Sequence, residues 1–220
     1  MHYGVEPDLI CLGKGVSSSL PLSVVLGSKE IMDLPEVGSM SSTHSSNPLS
    51  CVAGYENLKA LLEDGLIANS RNLGVIFHEQ LHMLQKKYSS VFKYVLGKGL
   101  VAAIIFIDID GKPLSLLCSR IVEMCFQRGL LVVHTGRESI KLAPPLSINK
   151  EALIEGVNVL ESCIVDAMTE HNYNTATQRL KDCLEEWDMV DIKPLGWRMP
   201  GWLATQASFD AVSENFDYVI

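Results

Sequence analysis

Lys14 is the residue whose type and position most clearly suggest chemistry. It stands between Gly13 and Gly15, directly after the apolar run Leu9–Leu12. Glycines carry no side chain that blocks a planar ligand, and ligands of α/β proteins bind at the carboxyl ends of strands. A lysine placed there forms a Schiff base when its surroundings free the amine of its proton. By spacing alone, a solvated loop lysine is the more common case.

A second candidate is the segment His78-Glu79-Gln80-Leu81-His82, which matches the H-E-x-x-H pattern of zinc peptidases. On a helix both histidines would share one face, and Glu79 would act as general base. No third ligand follows at the spacing of the longer zinc motifs, and the histidines flank an apolar stripe that already explains a helix. We therefore assign no metal site and keep zinc peptidase as a remote alternative.

Composition and charge exclude several classes of function. The chain has 220 residues, of which 47% are apolar and 20% charged, with a net charge of −8. The acidic balance argues against non-specific binding to nucleic acid or anionic membranes, and no apolar run approaches the roughly 18 residues that span a bilayer. The six cysteines form no C-x-x-C pair, and the N-terminus does not resemble a signal peptide, so we expect a cytoplasmic protein.

The first part of the chain predicts elements that would position Lys14. The apolar runs Leu9–Leu12 and 22–26 indicate two buried strands with a glycine-rich loop between them. Asn47 is a good N-cap and Gly65 a good stop, so a helix is expected between them. A second helix follows from an apolar stripe at steps of three or four residues: Leu73, Phe77, Leu81, Leu84 and Tyr88.

The rest of the chain alternates strands and helices. Residues 94–108 predict a mostly buried strand, residues 114–127 a helix, and residues 130–133 and 140–142 short strands. Asn149 is expected to cap a helix, and Thr175 with Gln178 forms a capping box that indicates another. The helix after Asn149 is expected to have the apolar stripe Leu153, Val157, Leu160, Ile164 and Met168. This alternation through residue 168 places the protein in the α/β or α+β class.

Four segments, in order along the chain, resemble class III pyridoxal-phosphate-dependent aminotransferases of the 4-aminobutyrate and ornithine aminotransferase type. They are residues 7–33 around Lys14, residues 42–51 (STHSSNPLSC), residues 97–100 (GKGL) and residues 140–148 (IKLAPPLSI). Together these segments are far more specific than any one alone, and the resemblance covers residues 1 to about 168.

The resemblance implies a fold class and a division into domains. The class is α/β, and the chain corresponds to the C-terminal part of a fold-type-I transferase. Residues 1–65 would be the end of the large, cofactor-binding domain, and residues 66–168 the small α/β domain. Residues 169–220 would be an extension of unknown role, since 171–220 holds 8 acidic and 4 basic residues and all three tryptophans, Trp187, Trp197 and Trp202.

The resemblance also implies roles for individual residues. Lys14 would hold pyridoxal 5'-phosphate as a Schiff base, and its freed amine would then move a proton at the substrate. Thr43, with its neighbour Ser42, would bind the cofactor phosphate of the other subunit, which implies a homodimer. The reaction would move an amino group from an amino acid or amine to a 2-oxo acid.

Two departures from the family pattern affect these expectations. Many members have an arginine at the position of Lys141, where it binds the substrate carboxylate bidentately, whereas lysine offers a point charge. Either Lys141 or nearby Arg137 binds that carboxylate, or the substrate lacks one, or Lys141 is an exposed strand residue. The second departure is that the family's ring-nitrogen aspartate, phosphate loop and stacking aromatic precede the lysine segment.

The chain begins only 13 residues before Lys14. We therefore expect a chain truncated at its N-terminus, which lacks these parts of the cofactor site. The alternative is a non-catalytic fragment that dimerises or completes a partner chain.

Overall fold

Lys14 lies between the two strands of a small antiparallel hairpin. The computed structural model describes residues 4–189, apart from some side chains after residue 172. In it β1 (Leu9–Leu12) pairs with β2 (Val24–Gly27), with Leu9 opposite Gly27. Both predicted strands are confirmed, but their predicted burial is wrong, because a two-stranded sheet covers neither of its faces. Between 43% and 50% of the residue surface is exposed at Ile10, Leu9, Val25 and Leu26.

Two helices follow the hairpin. Helix α1 (Lys29–Met32) is a single turn, and α2 (Pro48–Glu63) has the cap that the sequence predicts. The Asn47 side-chain oxygen accepts hydrogen bonds from two backbone amides of the first turn, at 3.0 and 3.3 Å. Beyond the end of α2, Gly65 has a φ of +69°, a conformation that glycine adopts without strain.

The chain divides into two compact units, Met1–Ser70 and Arg71–Ile220. The second unit contains a four-stranded antiparallel sheet in the order β3-β4-β6-β5. Its strands are β3 (Phe92–Lys98), β4 (Val101–Phe106), β5 (Val133–His134) and β6 (Ser139–Leu142). Burial alternates along β4, as expected for a sheet with one covered face.

Three helices accompany this sheet: α3 (Leu66–Lys87), α4 (Ser115–Gln127) and α5 (Lys150–Met189). The apolar stripes predicted for α3 and α5 are confirmed, because their members form the core. The buried members of those two stripes are Leu73, Phe77, Leu81, Leu84, Leu153, Val157, Leu160 and Ile164. Asn149 caps α5 as predicted, since its side-chain oxygen accepts a hydrogen bond from the Ala152 amide at 2.8 Å.

The single strand predicted over residues 94–108 is wrong, because the chain turns back within it. Residues 99–100 connect β3 to β4, and Gly97, near the end of β3, and Gly99 have φ angles of +124° and +60°. A Cβ on Gly97 would lie 2.1 Å from the Val101 carbonyl oxygen, so no larger residue fits there. Because the apolar pattern continues through both strands, it gives no sign of the turn between them.

The separate helix predicted from Thr175 and Gln178 is also wrong. Both residues lie inside α5, which is 40 residues long and continues without interruption past residue 168. Trp197 and Trp202 fall outside the described residues, and the three-part domain division stays a prediction. No helix within residues 4–189 is both long enough and apolar enough to cross a membrane.

Candidate active site

Lys14 begins a short 3-10 turn, Lys14–Ser17, directly after β1. Its φ of +52° lies in the left-handed region, which costs a non-glycine residue roughly 1–2 kcal/mol. Its side chain is exposed, and its amine has no hydrogen bond or ion pair with the other described residues. The amine is therefore accessible to a ligand from solvent.

Open space lies on both sides of Lys14. A Cβ built on Gly13 or on Gly15 would meet no atom within 4 Å, and neither glycine has a positive φ. Contacts within the described chain therefore do not require glycine at either position. The free space fits the approach of a flat ring to the lysine, which is the arrangement that pyridoxal phosphate needs.

The lysine also lines an open depression of about 450 Å³, together with Gly15 and residues 18–22. The hydroxyl-bearing residues Ser18 and Ser19 are exposed at its wall. Ser17 is buried instead and donates a hydrogen bond to the Leu20 carbonyl, which ties the turn to the segment that leads to β2.

Helix α2 packs against the back of this turn. The Asn57 side-chain amide donates to the carbonyl oxygens of Gly15 and Val16, at 3.0 and 3.1 Å. One turn earlier, Gly54 is buried so closely against Leu22 that a Cβ on it would lie 2.6 Å from the Leu22 Cδ2. The conformation of the lysine turn therefore depends on a helix more than 40 residues away in sequence.

The sequence argument did not identify Asn57. Its partners are distant along the chain, so no local motif marks it. A weak signal exists, because asparagine is unfavourable inside a helix and often competes for backbone hydrogen bonds there. Asn57 lies well inside α2, and its side chain satisfies two carbonyls outside the helix.

Ser42 and Thr43 lie in the turn that precedes α2. The Ser42 carbonyl accepts hydrogen bonds from the amide and hydroxyl of Ser45, at 3.0 and 2.6 Å, which fixes the turn. Thr43 is exposed, and its hydroxyl has no partner among residues 4–189. No hydrogen bond joins either residue to Lys14 within the described part of the chain.

Lys141 and Arg137 belong to the second unit. Lys141 lies at the exposed side of β6, between the buried residues Ile140 and Leu142. Arg137 is in the β5–β6 turn, where its guanidinium lies 3.6 Å from the carboxylate of its neighbour Glu138 and stays 79% exposed. Both cations are accessible, and their role at a substrate stays a prediction.

The H-E-x-x-H segment lies on α3, as expected, but its histidines have different surroundings. The Nε2 atom of His78 is buried without a normal hydrogen bond, and burial lowers the pKa of this side chain. His82 is exposed, and its Nδ1 atom lies 3.0 Å from the side-chain oxygen of Gln85. Among the residues that the structure describes, no group of three potential metal ligands comes together.

Comparisons with known proteins agree with this geometry. A family model described as Aminotransferase class-III matches residues 1–164. The 2-aminoadipate transaminase of Pseudomonas putida is 32% identical over 168 residues, which are 75% of this chain and 40% of that protein. The 4-aminobutyrate aminotransferase of Mycobacterium tuberculosis is 32% identical over 166 residues, which are 74% of this chain and 37% of that protein.

The fold has solved counterparts as well. The crystal structure of acetylornithine aminotransferase from Elizabethkingia anophelis is similar with a TM-score of 0.69 and 33% identity, over 75% of this chain and 40% of that chain. This chain therefore spans about 40% of the length of the proteins to which it is similar.

Proposed function

Because the chain belongs to the class III aminotransferase family, we propose that it carries the catalytic lysine of a pyridoxal-phosphate-dependent transaminase. Its reaction, in the cytoplasm, transfers an amino group from an amino acid or amine to a 2-oxo acid. Family membership also confirms the resemblance found in the sequence and the expected α/β class of fold-type-I transferases. The observation that carries the proposal is that Lys14 is exposed on a turn that hydrogen bonds from Asn57 stabilise. There is open space at both neighbouring glycines, Gly13 and Gly15.

Lys14 has two tasks in this proposal. Pyridoxal phosphate, when bound, supplies an aldehyde for a lysine amine and an electron sink for the substrate. The Lys14 amine first anchors that group. Once the substrate amine has replaced it, the Lys14 amine would take the proton from the substrate Cα and deliver it to the C4′ carbon of the cofactor, which is general acid–base catalysis and leaves the amino group on the cofactor.

Ser42 and Thr43 donate hydrogen bonds from their hydroxyl groups to the cofactor phosphate. The exposure of both side chains supports this role, as does the unused hydroxyl of Thr43. In the proposed homodimer, each phosphate accepts these hydrogen bonds from the hydroxyls of the opposite subunit. A two-fold arrangement therefore completes both sites.

Lys141 and Arg137 are the two cations that would bind a substrate carboxylate. Lys141 attracts a carboxylate as a point charge, whereas Arg137 offers a planar fork for bidentate binding. Since both side chains are exposed, either can meet a substrate. A substrate without an α-carboxylate uses neither residue.

A second candidate function is a non-catalytic module that dimerises or completes a partner chain. The surface of α2 favours it, because the helix buries its small residues Ser50 and Gly54 and exposes large apolar ones. The exposed members of that apolar face are Leu49, Val52, Tyr55, Leu58 and Leu62. Helix faces of this kind are normally covered by protein.

Reductive trapping tests the proposal directly. The full chain is incubated with pyridoxal phosphate, treated with borohydride and mapped by peptide mass spectrometry. We expect the cofactor mass on the Lys14 peptide, together with an absorption band near the visible edge before reduction, and loss of both in Lys14→Arg.

Lys98 provides a matched control, because it too is an exposed lysine between two glycines. Lys98→Arg should leave the trapped mass and the absorption band unchanged. Equal trapping at Lys14 and Lys98, or none at either, contradicts the catalytic proposal. A self-associating chain that traps no cofactor supports the second candidate.

A further inference from the structure

We propose that Asn57 is a positioning residue for Lys14, acting through the backbone of the turn that carries the lysine. This inference rests on the proposed function, because it concerns how the lysine is presented to the cofactor. It adds a residue that lies outside all four segments on which the resemblance was based.

Among the described residues, the side-chain amide of Asn57 donates hydrogen bonds to the lysine turn alone. Its amide nitrogen lies 3.0 Å from the Gly15 oxygen and 3.1 Å from the Val16 oxygen. The Gly15 carbonyl belongs to the peptide group between Gly15 and Val16, one residue beyond Lys14, so its movement changes the backbone that directly follows the lysine. A single side chain thus holds two consecutive peptide groups beside the reactive residue.

The turn has few other restraints. Its backbone hydrogen bonds from Val16 to Gly13 and from Ser18 to Gly15 are 3.2 and 3.3 Å long, near the long end of the normal range, and the Ser19 amide donates to the Ser17 carbonyl at 2.8 Å. Short 3-10 turns have poorer hydrogen-bond geometry than α-helices. The left-handed φ of Lys14 persists only if surrounding contacts hold it.

The position of Asn57 is itself well determined. Gly54, one turn earlier in α2, lies against Leu22. A Cβ built on Gly54 would be 3.8 Å from the carbonyl oxygen of Val16. Residues three apart share a helix face, so the close approach at Gly54 brings Asn57 to the turn. Asn57 is half-buried, and its hydrogen bond to the Val16 carbonyl is partly shielded from water.

Substitution by aspartate separates this role from packing. Asn57→Asp keeps the shape but replaces the donor by a carboxylate facing two carbonyl oxygens. Asn57→Ala removes the donor without adding charge. Glu56→Ala is the control, because Glu56 is the exposed neighbour on the same helix.

Two measurements are made on each full-length variant. Amide hydrogen exchange without cofactor reports the opening of residues 13–18, and residues 92–106 serve as an internal reference for intact folding. Reductive trapping with pyridoxal phosphate then gives the rate of modification of Lys14 relative to Lys98 in the same sample. A general loss of structure would raise amide exchange in both segments and alter trapping at both lysines. Loss of positioning would raise exchange only in residues 13–18 and slow trapping only at Lys14.

We expect Asn57→Asp and Asn57→Ala to raise exchange in residues 13–18 by about tenfold and to slow trapping at Lys14 at least severalfold, with Glu56→Ala unchanged. Unchanged exchange in residues 13–18 overturns the inference. Faster exchange with unchanged trapping also overturns it, because Asn57 then has a purely structural role. If the unmodified chain traps no cofactor, the proposed function fails as well, and that outcome is visible before any variant is compared.

Discussion

Gly74 in α3 lies directly against Gly99 in the turn between β3 and β4. A Cβ on Gly74 would be 2.5 Å from the Gly99 Cα and 2.8 Å from its carbonyl carbon. Backbone atoms cannot move aside as the end of a flexible side chain can. The helix and the hairpin therefore meet at a point where residue 74 of the helix has no room for a side chain.

Substitution of Gly74 by alanine should destabilise the second unit. We expect a loss of about 1–3 kcal/mol in the free energy of unfolding, since overpacking exceeds the gain in helix propensity of about 1 kcal/mol. Gly156→Ala in α5 is the control, because its Cβ would meet Leu130 at 3.4 Å. Urea unfolding followed by circular dichroism should show that Gly156→Ala leaves the free energy of unfolding unchanged or raises it. An equal loss of unfolding free energy in both variants would contradict the close approach of Gly74 to Gly99.

His78, which is half-buried with its Nε2 atom out of contact with solvent, should make stability depend on pH. Burial lowers its pKa and the nearby His82 acts in the same direction, against the weaker effect of the Gly99 and Val101 backbone. Because the folded chain resists protonation of His78, stability is full above about pH 6.5 and falls as the pH decreases below that value. The maximum slope for one group is about 1.4 kcal/mol per pH unit.

Unfolding of His78→Gln between pH 5 and pH 8 tests this dependence. The variant should show a smaller decrease in the free energy of unfolding below pH 6.5 than the unmodified chain. The lowered pKa values of Glu161 and Glu170 keep their titration below this range. Identical slopes for both proteins would rule out His78 as the source.

Glu161 should stabilise the attachment of α5 to the end of α3. Its carboxylate accepts hydrogen bonds from the Lys87 ammonium at 2.7 Å and the Tyr88 hydroxyl at 2.9 Å, and these two partners lower its pKa. Glu161→Gln should cost about 1 kcal/mol at pH 7. Because the pKa is lowered, this contribution is present above about pH 4.5 and disappears as the pH falls further.

The control for this substitution is Glu155→Gln, at an exposed position on the same helix. Thermal unfolding should show that Glu161→Gln is less stable than Glu155→Gln at pH 7. At pH 3 the two variants should have the same stability. A difference that persists at pH 3 would mean that the loss comes from packing and not from the carboxylate charge.

The described cysteines should differ strongly in reactivity. Burial raises the pKa of the Cys118 and Cys125 thiols to about 12, so almost no thiolate forms near neutral pH. Cys11 and Cys51 are exposed. Iodoacetamide at pH 8, with peptide mapping, should label the exposed pair at least tenfold faster, and urea should remove the difference. Rapid labelling of the buried pair in the native chain would contradict their burial.

Features decided by neighbouring residues could be predicted from the sequence. The caps at Asn47 and Asn149 and the core stripes of α3 and α5 depend on partners within a few positions, and the structure confirms them. The capping-box argument at Thr175 fails for a related reason. The same residue pattern starts a helix or continues one, and nothing near Thr175 interrupts α5.

In the candidate site, too, some features depend on residues next to Lys14 in the sequence and others on residues far from it. Lys14 and its two flanking glycines are visible as residue types, and the family resemblance gives them a role that stays a proposal. The side chain that holds their turn comes from Asn57, 42 residues from Gly15. Its two hydrogen bonds exist because helix α2 packs on that turn, and no pattern around either segment contains this fact.

The sequence by itself therefore determined the helix caps, the core stripes, the family and the lysine most suited to chemistry. Each depends on residue type and short-range spacing, which the chain carries wherever it folds. The tertiary structure alone decided the exposure of β1 and β2, the turn inside residues 94–108 and the support of Lys14 by Asn57. These depend on which distant segments meet, because burial, close backbone approach and long-range hydrogen bonds belong to pairs of segments.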